Sequence, residues 1–447
     1  MTSHRTIDRW DPEDEAFWRS TGRRVAGRNL IHSIFVEHLG FTVWLLWSMV
    51  VLYLPAAGFE LSVDQLFWLV AVPNLCGAAM RLPYTFAVAI FGGRNWTVVS
   101  ALLLLIPTGL LAWSVSDPST PYWVLLTAAA TAGLGGGNFA SSMANISYFY
   151  PERSKGIALG VNAAGGNLGV AVVQLLVPVA VTIGAGTVAA NAGLIWMPLI
   201  LLSAVLAFFF MDNLTVVKAD FASQGRAFTR AHTWVMSFLY IGTFGSFIGF
   251  SAAFPLVINR TFPESKASYF AFLGALVGSL ARPAGGWLAD RLGGARVTGC
   301  SFGVMALGVG GAVVGLDRHL FWLFLGSFLL LFVASGAGNG STYRMIPAIF
   351  ATRARRELSE GADAAAALTR AKRESAAAIG IASSIGAFGG FLIPRGFAMS
   401  LSGTGSIATA MYVFLGAYAV FAVANWWFYL RRRVLAAVVP SLAASRV

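Results

Sequence analysis

Charge is what this chain has least of. Only 11% of its 447 residues are Asp, Glu, Lys or Arg, while 57% are hydrophobic and mean hydropathy is +0.71. Soluble domains carry about 25% charged residues, so a soluble enzyme is excluded and an integral membrane protein is expected. Cysteine is nearly absent. Cys76 and Cys300 both fall in apolar runs, which excludes a disulfide framework and any cysteine-based metal site. The five histidines, His4, His32, His38, His232 and His319, have no ligand spacing, and neither HExxH nor a phosphate-loop GK[ST] occurs. No catalytic residue, metal or cofactor is expected. The first thirty residues lack the apolar core and cleavage site of a signal peptide and read as a cytoplasmic tail. The net charge of +12 does not imply nucleic acid, because the basic residues lie between apolar runs rather than on one face.

What is present is a series of long apolar runs. A spanning helix needs about 20 mostly apolar residues, and twelve spans are read at 31–54, 65–91, 96–114, 122–149, 156–182, 192–211, 233–258, 268–290, 297–316, 320–350, 375–400 and 408–430. The division is a 1–30 amino tail, a 31–211 six-helix bundle, a 212–232 linker, a 233–430 six-helix bundle and a 431–447 tail. Twenty-three of the 31 Lys and Arg residues fall in the amino tail, in the loops on its side and at Arg431–Arg433, against three on the other face, Arg260, Lys266 and Arg318. That asymmetry places both termini in the cytoplasm. The segment 351–372, basic and alanine-rich, could form a cytoplasmic surface helix; it reads as a charged, solvated connector, with a regulatory or anionic-lipid-binding role as the alternative.

Two arginines stand where arginine is costly. Arg81 and Arg282 lie near mid-span, and a cation there costs roughly 2.5–3.5 kcal/mol on insertion scales, which marks a functional site. Arg344 and Arg395 lie nearer helix ends, where a long side chain snorkels to the interface. Arg81 and Arg282 are 201 residues apart, and each precedes a Gly-Gly pair at the same distance, Gly92-Gly93 and Gly293-Gly294. Gly135-Gly136-Gly137-Asn138 returns at the same offset as Gly336-Ala337-Gly338-Asn339. Two motifs repeating at one offset imply two homologous halves, each aiming a cation at a shared central site. The expected fold is all-α and membrane-integral, with twelve helices in two pseudo-symmetric bundles.

Glycine, at 49 residues, clusters with small-xxx-small spacing at Gly133–Gly137, Gly156–Gly160, Gly165–Gly169, Gly336–Gly340 and Gly386–Gly390. Such pairs bring helix backbones close. Gly165, Gly166, Gly169, Gly386, Gly389 and Gly390 are expected to form a sliding, gating surface. Phe139, Asn162, Asn167, Tyr240 and Phe244 are pocket candidates, and Asn167 should hydrogen-bond either a neighbouring helix or a ligand.

Two halves of six spans with a midplane site are the pattern of the major facilitator superfamily. GGWLADRLGGAR resembles its short loop motif, with Asp290, Arg291 and Arg296 at the charged, gating positions. The first-half counterpart FGGRNW lacks the aspartate. Longer runs are more specific. GGGNFASSMANISYFYPERSKGIALGVNAAGGNLGVAVVQLLVP, LYIGTFGSFIGFSAAF and IGAFGGFLIP resemble the nitrate/nitrite porters of the bacterial NarK type, as do RLPYTF, FGGRNWTV and STPYW. The similarity runs from IDRWDPEDEAFW into the last span. It implies that Arg81 and Arg282 coordinate nitrate or nitrite, that Asn167 and Tyr240 hydrogen-bond it, and that Phe139 and Phe244 stack on its faces. It also implies a monomeric carrier in lipid, in the bacterial inner membrane.

Coupling is the open expectation. Nitrate/nitrite exchange needs no titrating residue, but Glu37 and His38 in the first span are where protons are relayed in other membrane proteins, so proton-coupled nitrate symport is the alternative. A carrier of another small anion on the same fold is a more distant one, and it would usually add a mid-span lysine or histidine.

Overall fold

The computed structural model of the chain describes residues 5–184, 188–215, 217, 221–263, 267–361, 363–431, 442 and 447. Lys218, Lys266, Arg432 and Arg433, counted above for orientation, lie outside them. The chain falls into two compact units, Met1–Ala219 with Ser251–Leu276, and Asp220–Phe250 with Val277–Val447. Ten helical stretches among the described residues are long and apolar enough to cross a membrane. The other two expected spans are helical as well, and their glycine, asparagine and arginine content lowers their hydropathy.

In the first unit, α1 (Arg23–Trp44) starts well before the expected 31. It is followed by α2 (Val63–Phe91), α3 (Gly93–Leu103), α4 (Leu105–Ser114), α5 (Tyr122–Thr131), α6 (Gly133–Phe149), α7 (Glu152–Ala180) and α8 (Met197–Phe210). Helix α2 starts sharply because Ser62 and Gln65 form a reciprocal capping box. It stops at Gly92, whose φ of +87° suits glycine, and α3 starts at the next residue.

Glycines let α6 lie directly on α2. A Cβ on Gly133 would meet Gly77 and Cys76, and one on Gly137 would meet the Tyr84 ring. Helix α7 lies as closely on α1, where the Thr42 hydroxyl donates to the Gly169 carbonyl at 3.1 Å.

The amino segment is not a free tail. β1 (Thr6–Ile7) pairs in parallel with β2 (Asn213–Leu214), and Trp10 donates to the Tyr148 carbonyl at 3.1 Å. Trp10, Trp18, Val25, Phe149 and Leu214 form a small apolar core at this end. Asp212, 5% exposed, accepts from Arg28 at 2.6 Å and from Asn29 at 2.8 Å.

The second unit contains α9 (Phe221–Phe228), α10 (Ala231–Tyr240) and a π-helical turn, Ile241–Gly245. Helix α11 (Ser246–Thr261) and helix α12 (Ala271–Leu292) each contribute to both units by residue range. The unit is completed by α13 (Gly294–Asp317), α14 (Phe321–Ser359), α15 (Ala364–Ala387), α16 (Gly389–Thr404) and α17 (Ala408–Asn425). The motif at α2–α3 recurs here: α12 ends at Gly293, φ +94°, and α13 starts at Gly294. Gly336 and Gly340 of α14 pack against the backbone of Gly278 and Arg282 on α12. The basic stretch 351–372 differs from expectation. It is neither a loop nor a separate helix, because α14 runs on to Ser359 and α15 starts at Ala364. Alanine has the highest helix propensity, so the alanine-rich run extends the flanking helices instead of breaking them.

Candidate anion site

Arg81 is fully buried on α2. Its Nε donates to the Gly136 carbonyl at 3.2 Å, a contact that the bare glycine surface of α6 permits. Its Cζ lies 4.6 Å from the centre of the Phe139 ring and 5.3 Å from that of Trp44. Guanidinium over an aromatic face is favourable, more so away from water. Phe139 therefore belongs beside Arg81 as expected, but its ring packs on the guanidinium itself. Trp44, which sequence reading missed, is fixed by its indole donating to the Pro73 carbonyl at 2.9 Å.

Asn167 is 1% exposed on α7, and neither its Nδ2 nor its Oδ1 has a hydrogen-bond partner among the described residues. Buried amides are normally satisfied. Asn138 on α6, next to Phe139, and Asn339 on α14 share this condition at both amide atoms. Asn138 and Asn339 close the two copies of the GGGN/GAGN repeat.

In the second unit, the Tyr240 and Phe244 rings stack at 5.3 Å and 18°, and both residues are buried. The π-helical turn after Tyr240 sets this geometry, and Gly386 packs on the Tyr240 ring. Arg282, 4% exposed, has its Cζ 5.8 Å from the Tyr343 ring.

Glu37 is fully buried on α1. Ser142 Oγ and Asn162 Nδ2, the latter at 2.5 Å, both donate to Glu37 Oε2, and the carboxylate lies over Gly166, which has no side chain to displace it. Asn162, read as a pocket group, is thus a partner of Glu37. Ser142 was not anticipated. The His38 ring nitrogen Nδ1 lies 3.0 Å from the Gly165 carbonyl, so His38 fastens α1 to α7.

The glycines expected to form a sliding surface pack inside their own units. Gly165, Gly166 and Gly169 face Ile34, Glu37 and His38 of α1, and Gly389 faces Gly245. Gly390 is buried at the start of α16. Arg344 Nε pairs with Asp290 at 2.5 Å, and both side chains are about half exposed. Arg291 stacks on Trp287 at 4.0 Å, and Arg296 is exposed on α13. Midway along α15, Glu374 is 2% exposed and takes two hydrogen bonds from Arg230, at 2.9 and 3.0 Å, which hold that guanidinium above its ordinary pKa despite partial desolvation.

Comparison with known proteins shows the family of the chain. The Major Facilitator Superfamily profile matches residues 39–368. The nitrate/nitrite transporter NarU of Salmonella typhimurium is 41% identical across 95% of this chain and 96% of its own. The probable nitrate/nitrite antiporter NarK2 of Thermus thermophilus is 37% identical across 95% and 97%. Among solved structures, a D-xylose-proton symporter superposes with a TM-score of 0.65 at 15% identity, covering 90% of this chain and 97% of that one. The chain belongs to the NarK-type nitrate/nitrite transporter family of the major facilitator superfamily.

Proposed function

We propose that this protein carries nitrate and nitrite across the bacterial cytoplasmic membrane by alternating access, as a monomer that exchanges one anion for the other with both termini in the cytoplasm. Arg81 carries the reading: a fully buried guanidinium on a membrane-crossing helix, braced by two aromatic rings. Nitrate is a flat monoanion with three equivalent oxygens. A guanidinium presents planar, paired donors to such a group, whereas an ammonium offers a point charge. Arg81 and Arg282 bind the charge, Asn167 and Tyr240 donate to the oxygens, and Phe139 and Phe244 present faces that suit a planar guest. Asn167 supports this directly, since its buried amide has no partner among the described residues and gains most from a ligand that accepts its hydrogen bond. Nitrite is also flat and singly charged, so it fits the same groups. Tetrahedral phosphate and sulfate do not.

Exchange follows from the energetics. Buried guanidinium groups make reorientation without a counter-anion costly, so a bound anion lowers the barrier to each half-cycle. Asp290 sets the stability of one end state through its pair with Arg344, with Arg291 and Arg296 as the other charged gating positions of the loop motif. A second reading is favoured by one observation. Glu37, buried and held by Ser142 and Asn162, is placed to take up a proton, which would make the protein a nitrate–proton symporter. His38, next in sequence and fastened to the Gly165 carbonyl, is the second proton-coupling group of that reading. Proteoliposomes decide between the two. Labelled nitrate uptake that requires internal nitrite supports exchange, and uptake driven by an imposed pH gradient in nitrite-free vesicles overturns it.

A further inference from the structure

At one end of the second unit, basic side chains crowd around two carboxylates. Glu374 has Arg226 at 3.5 Å and Arg353 at 3.8 Å in addition to Arg230, and Glu357 has Arg370 at 3.7 Å. Beside this network runs an open groove of about 560 Å³, lined by Arg226 of α9 and by Ala366, Thr369, Arg370 and Arg373 of α15. The four α15 residues are spaced i, i+3, i+4 and i+7, so they form one stripe along the helix. Helix α9 is held against α15 by Ala227, which is fully buried with Ala377 and Ile381. That packing fixes Arg226 across from the stripe. The groove is a built feature of two docked helices.

Its depth is given by its neighbours. Phe228 and Trp234 are 43% and 51% exposed, and the Trp234 indole donates to the Phe228 carbonyl at 2.8 Å. Exposed aromatics of this kind mark the bilayer–water boundary. Arg226 is two residues from Phe228 on α9, so the groove lies at the depth of that aromatic pair. Guanidinium groups at headgroup level match the phosphate of an anionic lipid.

We propose that Arg226, Arg370 and Arg373 bind the phosphodiester of an anionic phospholipid headgroup, with Thr369 as an additional hydrogen-bond donor. This site is separate from the transported anion's, and it is read by lipid binding, so it stands or falls independently of the transport reading. The full-length protein in detergent is titrated with short-chain phosphatidylglycerol, short-chain phosphatidylcholine and inorganic phosphate, with bound lipid counted by native mass spectrometry. Phosphatidylglycerol binds, and the other two do not compete. Each Arg→Gln change at 226, 370 or 373 weakens binding roughly fivefold, from the ~1 kcal/mol that a basic side chain gains beside an anionic surface. The corresponding Arg→Lys variants retain most of it, which shows that the helices remain docked. Equal phosphatidylglycerol binding by the wild type and the triple Gln variant overturns the proposal. So does displacement of the lipid by inorganic phosphate at equal concentration.

Discussion

Arg81 and Asn167 make opposite demands on the protein, and that contrast is testable. Arg81 is tied into the structure through Gly136, Phe139 and Trp44, so replacing it touches folding as well as binding. Asn167 has a buried amide with no partner among the described residues, so folding gains little from it. Asn167→Leu should leave the melting temperature unchanged or raised and weaken nitrate binding by roughly fivefold, the size of one hydrogen bond of about 1 kcal/mol. A large fall in melting temperature with intact nitrate binding would make Asn167 a packing residue. Glu37→Gln keeps the shape of the carboxyl and can still accept from Ser142 and Asn162. It should leave nitrate/nitrite counterflow intact and remove any component driven by a pH gradient. Loss of counterflow in this variant would place Glu37 in the exchange step itself. At this scale the sequence showed both arginines, because a charge inside an apolar run needs no context. It did not show that Asn162 serves Glu37 or that Trp44 braces Arg81, since those contacts join α1 to α6 and α7 across more than a hundred residues or to α2 across a loop.

Helix packing tests how the glycines are used. In α7 a Cβ at Gly169 would strike the His38 carbonyl, and one at Gly166 would strike the Glu37 carboxylate. Backbone yields little, so Gly169→Ala should cost about 1–3 kcal/mol, the usual penalty of overpacking, and lower the melting temperature. Gly160, on the same helix, has open space where a methyl group would stand, with no neighbour within 4 Å. Gly160→Ala should therefore be neutral or stabilising, because alanine favours helix over glycine. Thermal unfolding of the two variants side by side checks this. Equal effects would mean that glycine acts here through the backbone alone. Small-xxx-small spacing revealed where helices approach, but it gave no partner. It therefore read Gly165–Gly169 as a sliding surface when α1 of the same unit fills it. Element ends were less legible than element centres: α1 begins at Arg23 and α14 ends at Ser359, where charged residues interrupt the hydropathy but not the helix.

At the scale of the molecule, the 201-residue repeat implied two similar halves, and the structure has glycine turns at Gly92 and Gly293 in matching places, while its two compact units divide the chain differently, with Ser251–Leu276 in the first. The amino strap was not legible, because a short polar segment betrays no docking surface until β2 and Phe149 are in place. Asp212 ties α1 to the start of β2 and lies 3.7 Å from Arg5 of the amino segment, so Asp212→Asn should destabilise the first unit by roughly 2 kcal/mol, as expected for charge-assisted hydrogen bonds lost by Arg28 and Asn29. Unfolding followed through tryptophan fluorescence reads that loss. The central claim is that two guanidinium groups, one from each unit, bind a planar anion. Counterflow of labelled nitrite into nitrate-loaded vesicles tests it most directly, using folded Arg81→Lys and Arg282→Lys proteins. Each should keep its charge and lose at least about tenfold in rate, since lysine cannot supply paired planar donors; transport at the wild-type rate by either variant would contradict the claim.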